Sequence, residues 1–186
     1  MSLQLLRRKF TTEQYHKMVE TGILNENDRV ELLKGEIIEM TPIGRRHAAY
    51  VARLTELFLR RLGELVIIWP QNPIELNDFS EPQPDVTLLR RREDFYEAEK
   101  PQVQDIILLI EVADTTADSD RNVKIPLYAE NGIIEVWLVD INAQCVEVYR
   151  QASLNGYQNI QKFERGQNLF IQAFPNINIS VEEILG

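Results

Sequence analysis

The sequence predicts an α/β protein in which a mixed β-sheet is flanked by helices and accompanied by antiparallel hairpins. Residues 105–112 form a nearly continuous run of Ile, Leu and Val, a pattern typical of a strand buried on both faces of a sheet. A helical pattern at 120–131 and a strand pattern at 134–140 follow, so we expect a right-handed parallel crossover there. The alternation in 134–140 and 145–150 predicts an antiparallel hairpin.

Two helices are predicted in the N-terminal third of the chain. Thr11 or Thr12 can cap a first helix that runs to about Glu20. In the second, at 47–62, apolar residues recur at helical spacing, and Gly63 follows directly. We therefore expect one amphipathic helix of about four turns, packed on the sheet.

Short strands surround these helices. Residues 30–33 and 36–40 have the pattern of a hairpin closed by Lys34 and Gly35, a two-residue turn that requires positive φ angles. Three further β-prone runs, separated by Pro, Asn and Asp, predict successive strands at 65–69, 73–76 and 85–89.

The C-terminal third begins with the crossover helix. Pro126 lies inside the helical pattern of 120–131, so we expect an irregular helix before it or a kink at it. Residues 157–163 predict another strand. Ser180 and Glu183 have the spacing of a capping box for a short terminal helix.

Length and composition indicate one ordinary globular domain, residues 1–186, with 44% hydrophobic and 26% charged residues. The longest apolar runs, such as 106–110, are far too short to cross a bilayer, and no apolar leader is evident. Cys145 is the sole cysteine, which excludes an internal disulfide and a thiolate metal cluster. We expect a buried Cys145 and a cytoplasmic protein without a membrane partner.

The charge distribution is uneven. The formal net charge is -9, which argues against broad nonspecific DNA binding because phosphate affinity comes mainly from Lys and Arg. Residues 1–62 nevertheless hold eleven Lys or Arg against eight Asp or Glu, whereas 63–186 hold nine against twenty-one. Carboxylates that gather cations beside a basic phosphate-binding surface would give this pattern, and so would ordinary solvated charge.

Three residues could carry chemistry. Asp85 begins a predicted strand, Glu111 follows five apolar residues, and Lys124 lies on the crossover helix. An ionised carboxylate in so apolar a strand needs a partner, and Mg²⁺ prefers such oxygen ligands. Alternatively, Glu111 forms an ion pair with Arg121 or Lys124, and Asp85 only ends a turn.

Five segments, taken in their order along the chain, favour the metal-site interpretation. They are 31–37 (ELLKGEI), 84–86 (PDV), 109–112 (LIEV), 124–132 (KIPLYAENG) and 135–140 (EVWLVD). In these segments the chain resembles the Uma2-type restriction endonucleases of prokaryotes, a branch of the PD-(D/E)XK nuclease superfamily. The resemblance spans most of the chain and implies a restriction-endonuclease-like fold.

The resemblance also implies functional residues. Asp85 and Glu111 would be metal ligands together with the backbone carbonyl of Val112, and Glu31 would lie near the metal. Lys124 would be the catalytic lysine, displaced from the position two residues after the second acid, which is Ala113 here. The implied cofactor is Mg²⁺ or Mn²⁺, the implied substrate is DNA, and the implied assembly is a homodimer.

Other polar residues have competing interpretations. Glu31 could equally be an outward-facing hairpin residue, because strand register is unknown. His47 could approach a phosphate at a helix start, but we expect surface polarity, and His16 receives no role. The run Arg90 to Arg92 could hold a DNA backbone, although solvated charge is the commoner case.

Three functions remain open at this point. The leading hypothesis is a Mg²⁺-dependent endonuclease in which Asp85, Glu111 and Lys124 promote attack of water on phosphorus. The second is an inactive nuclease fold retained for nucleic-acid or protein binding. The third is a phosphoesterase for a small molecule, which would suit the acidic chain better.

Overall fold

The computed structural model describes residues 7–25 and 27–186 and contains a six-stranded mixed sheet with two small antiparallel sheets. The strands are β1 (Val30–Leu33), β2 (Glu36–Glu39), β3 (Val66–Pro70), β4 (Val86–Arg90), β5 (Ile106–Ala113), β6 (Glu135–Asp140), β7 (Cys145–Ser153), β8 (Gly156–Glu164), β9 (Asn168–Phe170) and β10 (Asn178–Ser180). The main sheet has the order β3-β4-β5-β6-β7-β8, while β1 pairs with β2 and β9 with β10.

The helices cover both faces of the main sheet. They are α1 (Thr12–Glu20), α2 (Arg45–Leu62), α3 (Ala117–Ser119), α4 (Ile125–Glu130) and α5 (Val181–Leu185), with a π-helical turn at Asp120–Lys124 and 3₁₀ turns at Gly63–Leu65 and Val103–Asp105. Helices α2 and α5 contribute to one apolar cluster and α4 to the other. The predicted α/β class with a mixed sheet is therefore confirmed.

Strand β5 is central, as the apolar run predicted, and all eight of its residues are buried. It pairs antiparallel with β4 and parallel with β6, which confirms the parallel crossover. Leu108, Ile110 and Val112 pack in the cluster with α2, whereas Leu109 and Ala113 pack in the cluster with α4. Because strand side chains alternate, Glu111 belongs to the α4 face.

The N-terminal helix and hairpin form as predicted. Thr11 caps α1 and exchanges reciprocal side-chain to backbone hydrogen bonds with Gln14. Lys34 and Gly35 have φ angles of 50° and 82°, and together they form the predicted tight turn between β1 and β2. A Cβ atom on Gly35 would lie 2.6 Å from the Cβ of Lys9, so this position requires glycine.

The helix predicted at 47–62 begins two residues earlier, at Arg45, and ends before Gly63, which has a φ of 50°. The crossover is irregular before Pro126, as predicted, because α3 passes through the π-helical turn before α4 begins. Hydrogen bonds between Ser180 and Glu183 confirm the capping box of α5. Cys145 is fully buried and unpaired.

The strand predicted at 73–76 is wrong. Ile74 and Leu76 donate backbone hydrogen bonds to Pro82 and Ser80, both at 2.9 Å, but no regular ladder forms. Pro73 and Pro82 lack the amide hydrogen that a continuous ladder needs. None of the helices in the described residues is long and apolar enough to span a bilayer.

Truncation of a β5 side chain should be costly. Leu108 is fully buried in the central strand. We expect Leu108→Ala to lower the free energy of unfolding by about 2–5 kcal/mol, because a cavity replaces packed atoms. Urea unfolding measures this change. Leu154→Ala is the matched control, since Leu154 is 83% exposed. Equal effects of the two substitutions would contradict the assignment of β5 to the core.

Candidate active site

A pocket of about 670 Å³ opens between the β1–β2 hairpin, the start of α2 and the segment from β5 to the π-helical turn. Glu31, Asp85, Glu111, Val112 and Lys124 all line it. These residues are far apart in the chain, and the sheet and its crossover bring them together.

The ammonium group of Lys124 lies between two carboxylates. Its Nζ atom is 3.1 Å from Oε2 of Glu31 and 3.3 Å from Oε1 of Glu111. Lys124 ends the π-helical turn and is only 9% exposed. Burial alone would lower the pKa of Lys124, but the attraction of Glu111, Glu31 and two aspartates outweighs it and raises the pKa, so the amine stays charged.

Glu111 projects from β5 toward the crossover and is 3% exposed. The Tyr128 hydroxyl donates a hydrogen bond to its Oε1 atom at 2.5 Å. Burial raises the pKa of Glu111 well above its usual value, and the attraction of Lys124 opposes this effect. The predicted alternative of an ion pair with Lys124 is thus present, whereas Arg121 does not take part.

Arg121 instead binds Asp140 and Glu147, with Nη2–oxygen distances of 2.7 and 2.8 Å. A regular helix would have placed Arg121, Lys124 and Tyr128 along one face. The π-helical turn has a wider spacing, so Lys124 and Tyr128 both face Glu111 while Arg121 faces β7.

Glu31 lies on the inner face of the β1–β2 hairpin and is 5% exposed, so its interpretation as an outward-facing residue is wrong. Besides the ion pair with Lys124, its Oε2 atom accepts a hydrogen bond from the Gln83 backbone amide at 3.1 Å. The adjacent residue Leu32 points to the opposite face of the strand and is fully buried, so β1 is covered on both faces.

Asp85 precedes β4 and is held at both carboxylate oxygens. Oδ2 accepts a hydrogen bond from the Val112 backbone amide at 2.8 Å, and Oδ1 lies 2.9 Å from Nε2 of His47. The hydrogen bond to Asp85 raises the pKa of His47, although burial opposes the shift. The side chain of His47 is 17% exposed, so the surface interpretation of this residue is wrong.

Asp120 also lines the pocket, but the sequence had not led us to predict this position. It is 6% exposed, and Thr116 donates a hydrogen bond to its Oδ2 atom at 2.7 Å. Burial raises the pKa of Asp120, while the Thr116 hydrogen bond and Lys124 oppose this. Its spacing of four residues before Lys124 was the available signal, because such pairs share a helix face.

The donor set fits a hard divalent cation. Asp85 and Glu111 are neighbouring carboxylates, and such ions are commonly bound by one or two carboxylates with water and phosphate. The hydrogen bond and the ion pair of Glu111 both use Oε1, so Oε2 is the oxygen available for a metal. A cation would also compensate the buried charge of Glu111.

The pocket carries more negative than positive charge. Four cationic side chains line it: Lys9, Arg29, Lys34 and Lys124. Seven carboxylates line it: Glu31, Glu36, Glu39, Asp85, Glu111, Asp114 and Asp120. A polyanion entering this pocket would meet net repulsion unless cations accompany it.

Comparison with known proteins identifies the family. Residues 12–182 match the family model of Uma2, described as "Putative restriction endonuclease". The chain belongs to the Uma2 family. No curated protein matches the chain.

The structure is also similar to the crystal structure of a putative nuclease belonging to DUF820 from Anabaena variabilis. The TM-score is 0.71 and the sequence identity is 18%, and the match covers 95% of this chain and 97% of that chain. At this identity the likeness shows a common fold, and it agrees with the restriction-endonuclease-like fold that the sequence resemblance implied.

Arg90, Arg92 and His16, which were considered as functional candidates, lie outside the pocket. Arg90 donates a hydrogen bond to the Gln104 carbonyl, and Arg92 pairs with Asp94. His16, which had no expected partner, lies 2.7 Å from Glu81.

His16, Glu75 and Glu81 bring three possible metal ligands within 4.8 Å of one another. The Nζ atom of Lys100 lies 3.4 Å from Nε2 of His16 and 3.7 and 3.5 Å from the two carboxylates. The ammonium group of Lys100 thus already contacts all three groups, and we assign no metal to this cluster.

Removal of the Lys124 ammonium should destabilise the fold. We expect Lys124→Met to lower the free energy of unfolding at pH 8 by about 3–5 kcal/mol, because Glu31 and Glu111 would stay buried without a countercharge. Urea unfolding in chelator measures the change. Lys17→Met is the control: Lys17 is 63% exposed and pairs with Glu13 on α1. We expect it to leave stability nearly unchanged, and a similar loss in both variants would contradict the prediction.

The raised pKa of Glu111 predicts a pH dependence with a defined sign. Above the usual glutamate pKa, folded protein retains a proton that unfolded protein has lost, so the contribution of Glu111 to stability falls as pH rises. In chelator, the stability of the wild type should therefore fall relative to that of Glu111→Gln as the pH rises from about 5 to about 8, a range that lies above the usual glutamate pKa.

Urea unfolding at several pH values measures this difference. Glu164→Gln serves as a control because the Glu164 side chain is 65% exposed. Its difference from the wild type should stay constant, and a constant difference for Glu111→Gln as well would contradict the prediction.

Proposed function

We propose that the protein is a Mg²⁺- or Mn²⁺-dependent endonuclease that hydrolyses DNA phosphodiester bonds. The observation that carries the proposal is the position of Lys124, whose ammonium lies 3.1 and 3.3 Å from Glu31 and Glu111 in a pocket shared with Asp85. Two carboxylates and a lysine in one pocket are the groups that phosphodiester hydrolysis needs. Membership of the Uma2 family supports the same conclusion.

Asp85, Glu111 and the carbonyl of Val112 would hold the cation. When bound there, the cation polarises a phosphoryl oxygen and lowers the pKa of bound water. The hydrogen bonds from Val112 and His47 fix the orientation of Asp85 before any ligand enters. Glu111 is fixed in the same way by Tyr128.

Lys124 would act on the phosphate. Its ammonium is charged, largely desolvated and directed into the pocket between Glu31 and Glu111. A cation in that position stabilises negative charge that develops on phosphate oxygens, and its effect is strengthened by the low local dielectric. Glu31 would orient Lys124, which is a more specific role than general proximity to the metal.

A second candidate is a phosphoesterase for a small molecule. The acidic lining and the modest volume of about 670 Å³ favour it, because a ligand with few phosphates would meet less repulsion than a polymer. The predicted cytoplasmic location and homodimer stay predictions.

Plasmid cleavage tests the proposal. Purified protein with Mg²⁺ or Mn²⁺ should nick supercoiled plasmid and cut single-stranded DNA, and chelator should stop both reactions. We expect Asp85→Ala and Lys124→Ala to lower the rate at least about 100-fold, as loss of a group that stabilises transition-state charge does. Gel electrophoresis with time measures the rates.

Asp118→Ala and Lys17→Ala are matched controls, because Asp118 is 99% exposed and Lys17 lies on α1 away from the pocket. Cleavage that persists in both site variants would indicate a contaminant. DNA binding without cleavage would favour the inactive module, and hydrolysis of bis(p-nitrophenyl) phosphate alone would favour the small-molecule enzyme.

A further inference from the structure

We propose that the pocket binds an unpaired nucleobase beside the scissile phosphate, so that the enzyme acts on single-stranded or locally unpaired DNA in preference to continuous duplex. This inference rests on the proposed nuclease function. It is carried by four apolar side chains at the pocket mouth, Ile38, Met40, Ile43 and Val123, which we call the apolar rim.

Ile38 lies beside the catalytic groups because of the hairpin register. It is the direct cross-strand partner of Glu31, and paired residues of an antiparallel ladder project to the same face. Glu31 points to Lys124, so Ile38 borders the same ion pair. It remains 38% exposed, although it lines the pocket.

Val123 lines the pocket from the crossover. It directly precedes Lys124 in the π-helical turn and is 45% exposed. Ile43, also 45% exposed, comes from the loop before α2. Three separate elements thus direct exposed aliphatic side chains into one pocket that holds buried carboxylates at its floor. An apolar surface of this kind indicates a binding site.

The charge of the pocket selects the occupant. A pocket lined by seven carboxylates and four cationic side chains lacks the basic surface needed to bind both phosphate backbones of a duplex. One phosphate held by Lys124 and the cation requires no such basic surface. The adjoining base would then cover the apolar rim, and a base can do so only when it is unstacked and unpaired.

The lining also predicts how the base is read. The pocket-lining residues in the described chain include no Phe, Tyr or Trp, so the base contacts aliphatic side chains. Such contacts are available to all four bases, because every base has an apolar face. We therefore expect little sequence preference and a clear preference for an unpaired structure.

Matched oligonucleotides test the inference. One sequence is prepared as a single strand, as a full duplex, and as a duplex with a central mismatched bubble. A further series replaces one nucleotide at a time in the single strand by an abasic analogue. We expect the single strand and the bubble to be cut at least about 10-fold faster than the duplex, and an abasic position beside the cut to raise KM about 10-fold.

Variants of the rim locate the effect. In the double variant Ile38→Ser with Val123→Ser, the abasic penalty should fall to less than about 3-fold, because the intact strand then loses the contact that the abasic strand already lacks. Ile160→Ser with Leu154→Ser is the matched control, because these side chains are 59% and 83% exposed on β8 and the turn before it. This control should keep the full penalty, and circular dichroism checks that both double variants are folded.

The two proposals fail in different ways. Equal cleavage of duplex and single strand, or an abasic penalty that survives in the rim variant, would overturn the unpaired-base inference and leave the nuclease intact. Absence of cleavage on every substrate would overturn the nuclease. In that case, fluorescence anisotropy in Ca²⁺ would still decide the base contact: equal affinity for intact and abasic strands would refute it.

Discussion

The buried ammonium of Lys124 is the interaction on which the pocket depends. It is the point where the β1–β2 hairpin, the central strand and the crossover meet, since its partners Glu31 and Glu111 come from the first two of these elements. Without this countercharge, two carboxylates with almost no exposure would face each other in a desolvated space. The geometry proposed for catalysis and the association of the hairpin with the sheet therefore have a common electrostatic origin.

The backbone around Lys124 explains how a displaced lysine reaches the acids. Position 113, two residues after Glu111, holds a buried alanine within β5. The crossover returns along the α4 face of the sheet, and the π-helical turn directs Lys124 and Tyr128 onto the same oxygen of Glu111. π-helical turns of this kind recur at functional sites.

Much of the fold could be predicted from the sequence, because the apolar run of β5, the helical spacing of α2 and the Lys34-Gly35 turn are local signals that agree with the final packing. The pairing of Glu111 with Lys124 was one of two open alternatives. The position of Glu31 near the site was one of two open interpretations and that of His47 was interpreted wrongly, because both depend on hairpin register and on contacts between distant segments. The strand predicted at 73–76 does not form, because neighbouring prolines interrupt an otherwise strand-like pattern.

Within the described residues, the β1–β2 hairpin pairs only with itself as a regular ladder. It joins segment 71–84 through the bridge between Leu32 and Glu81 and through further hydrogen bonds, such as those of Gly35 with Phe79 and of Glu31 with Gln83. It nevertheless supplies Glu31 and Ile38, whereas Asp85 and Glu111 belong to the main sheet. The proposed metal ligands and the proposed base-contacting Ile38 thus belong to separate parts of the fold, whereas Glu31 links the hairpin to Lys124. Substitutions in the hairpin that spare Glu31 can therefore alter what enters the pocket without rebuilding the proposed metal site, which offers evolution and protein engineering a simple route to new specificities.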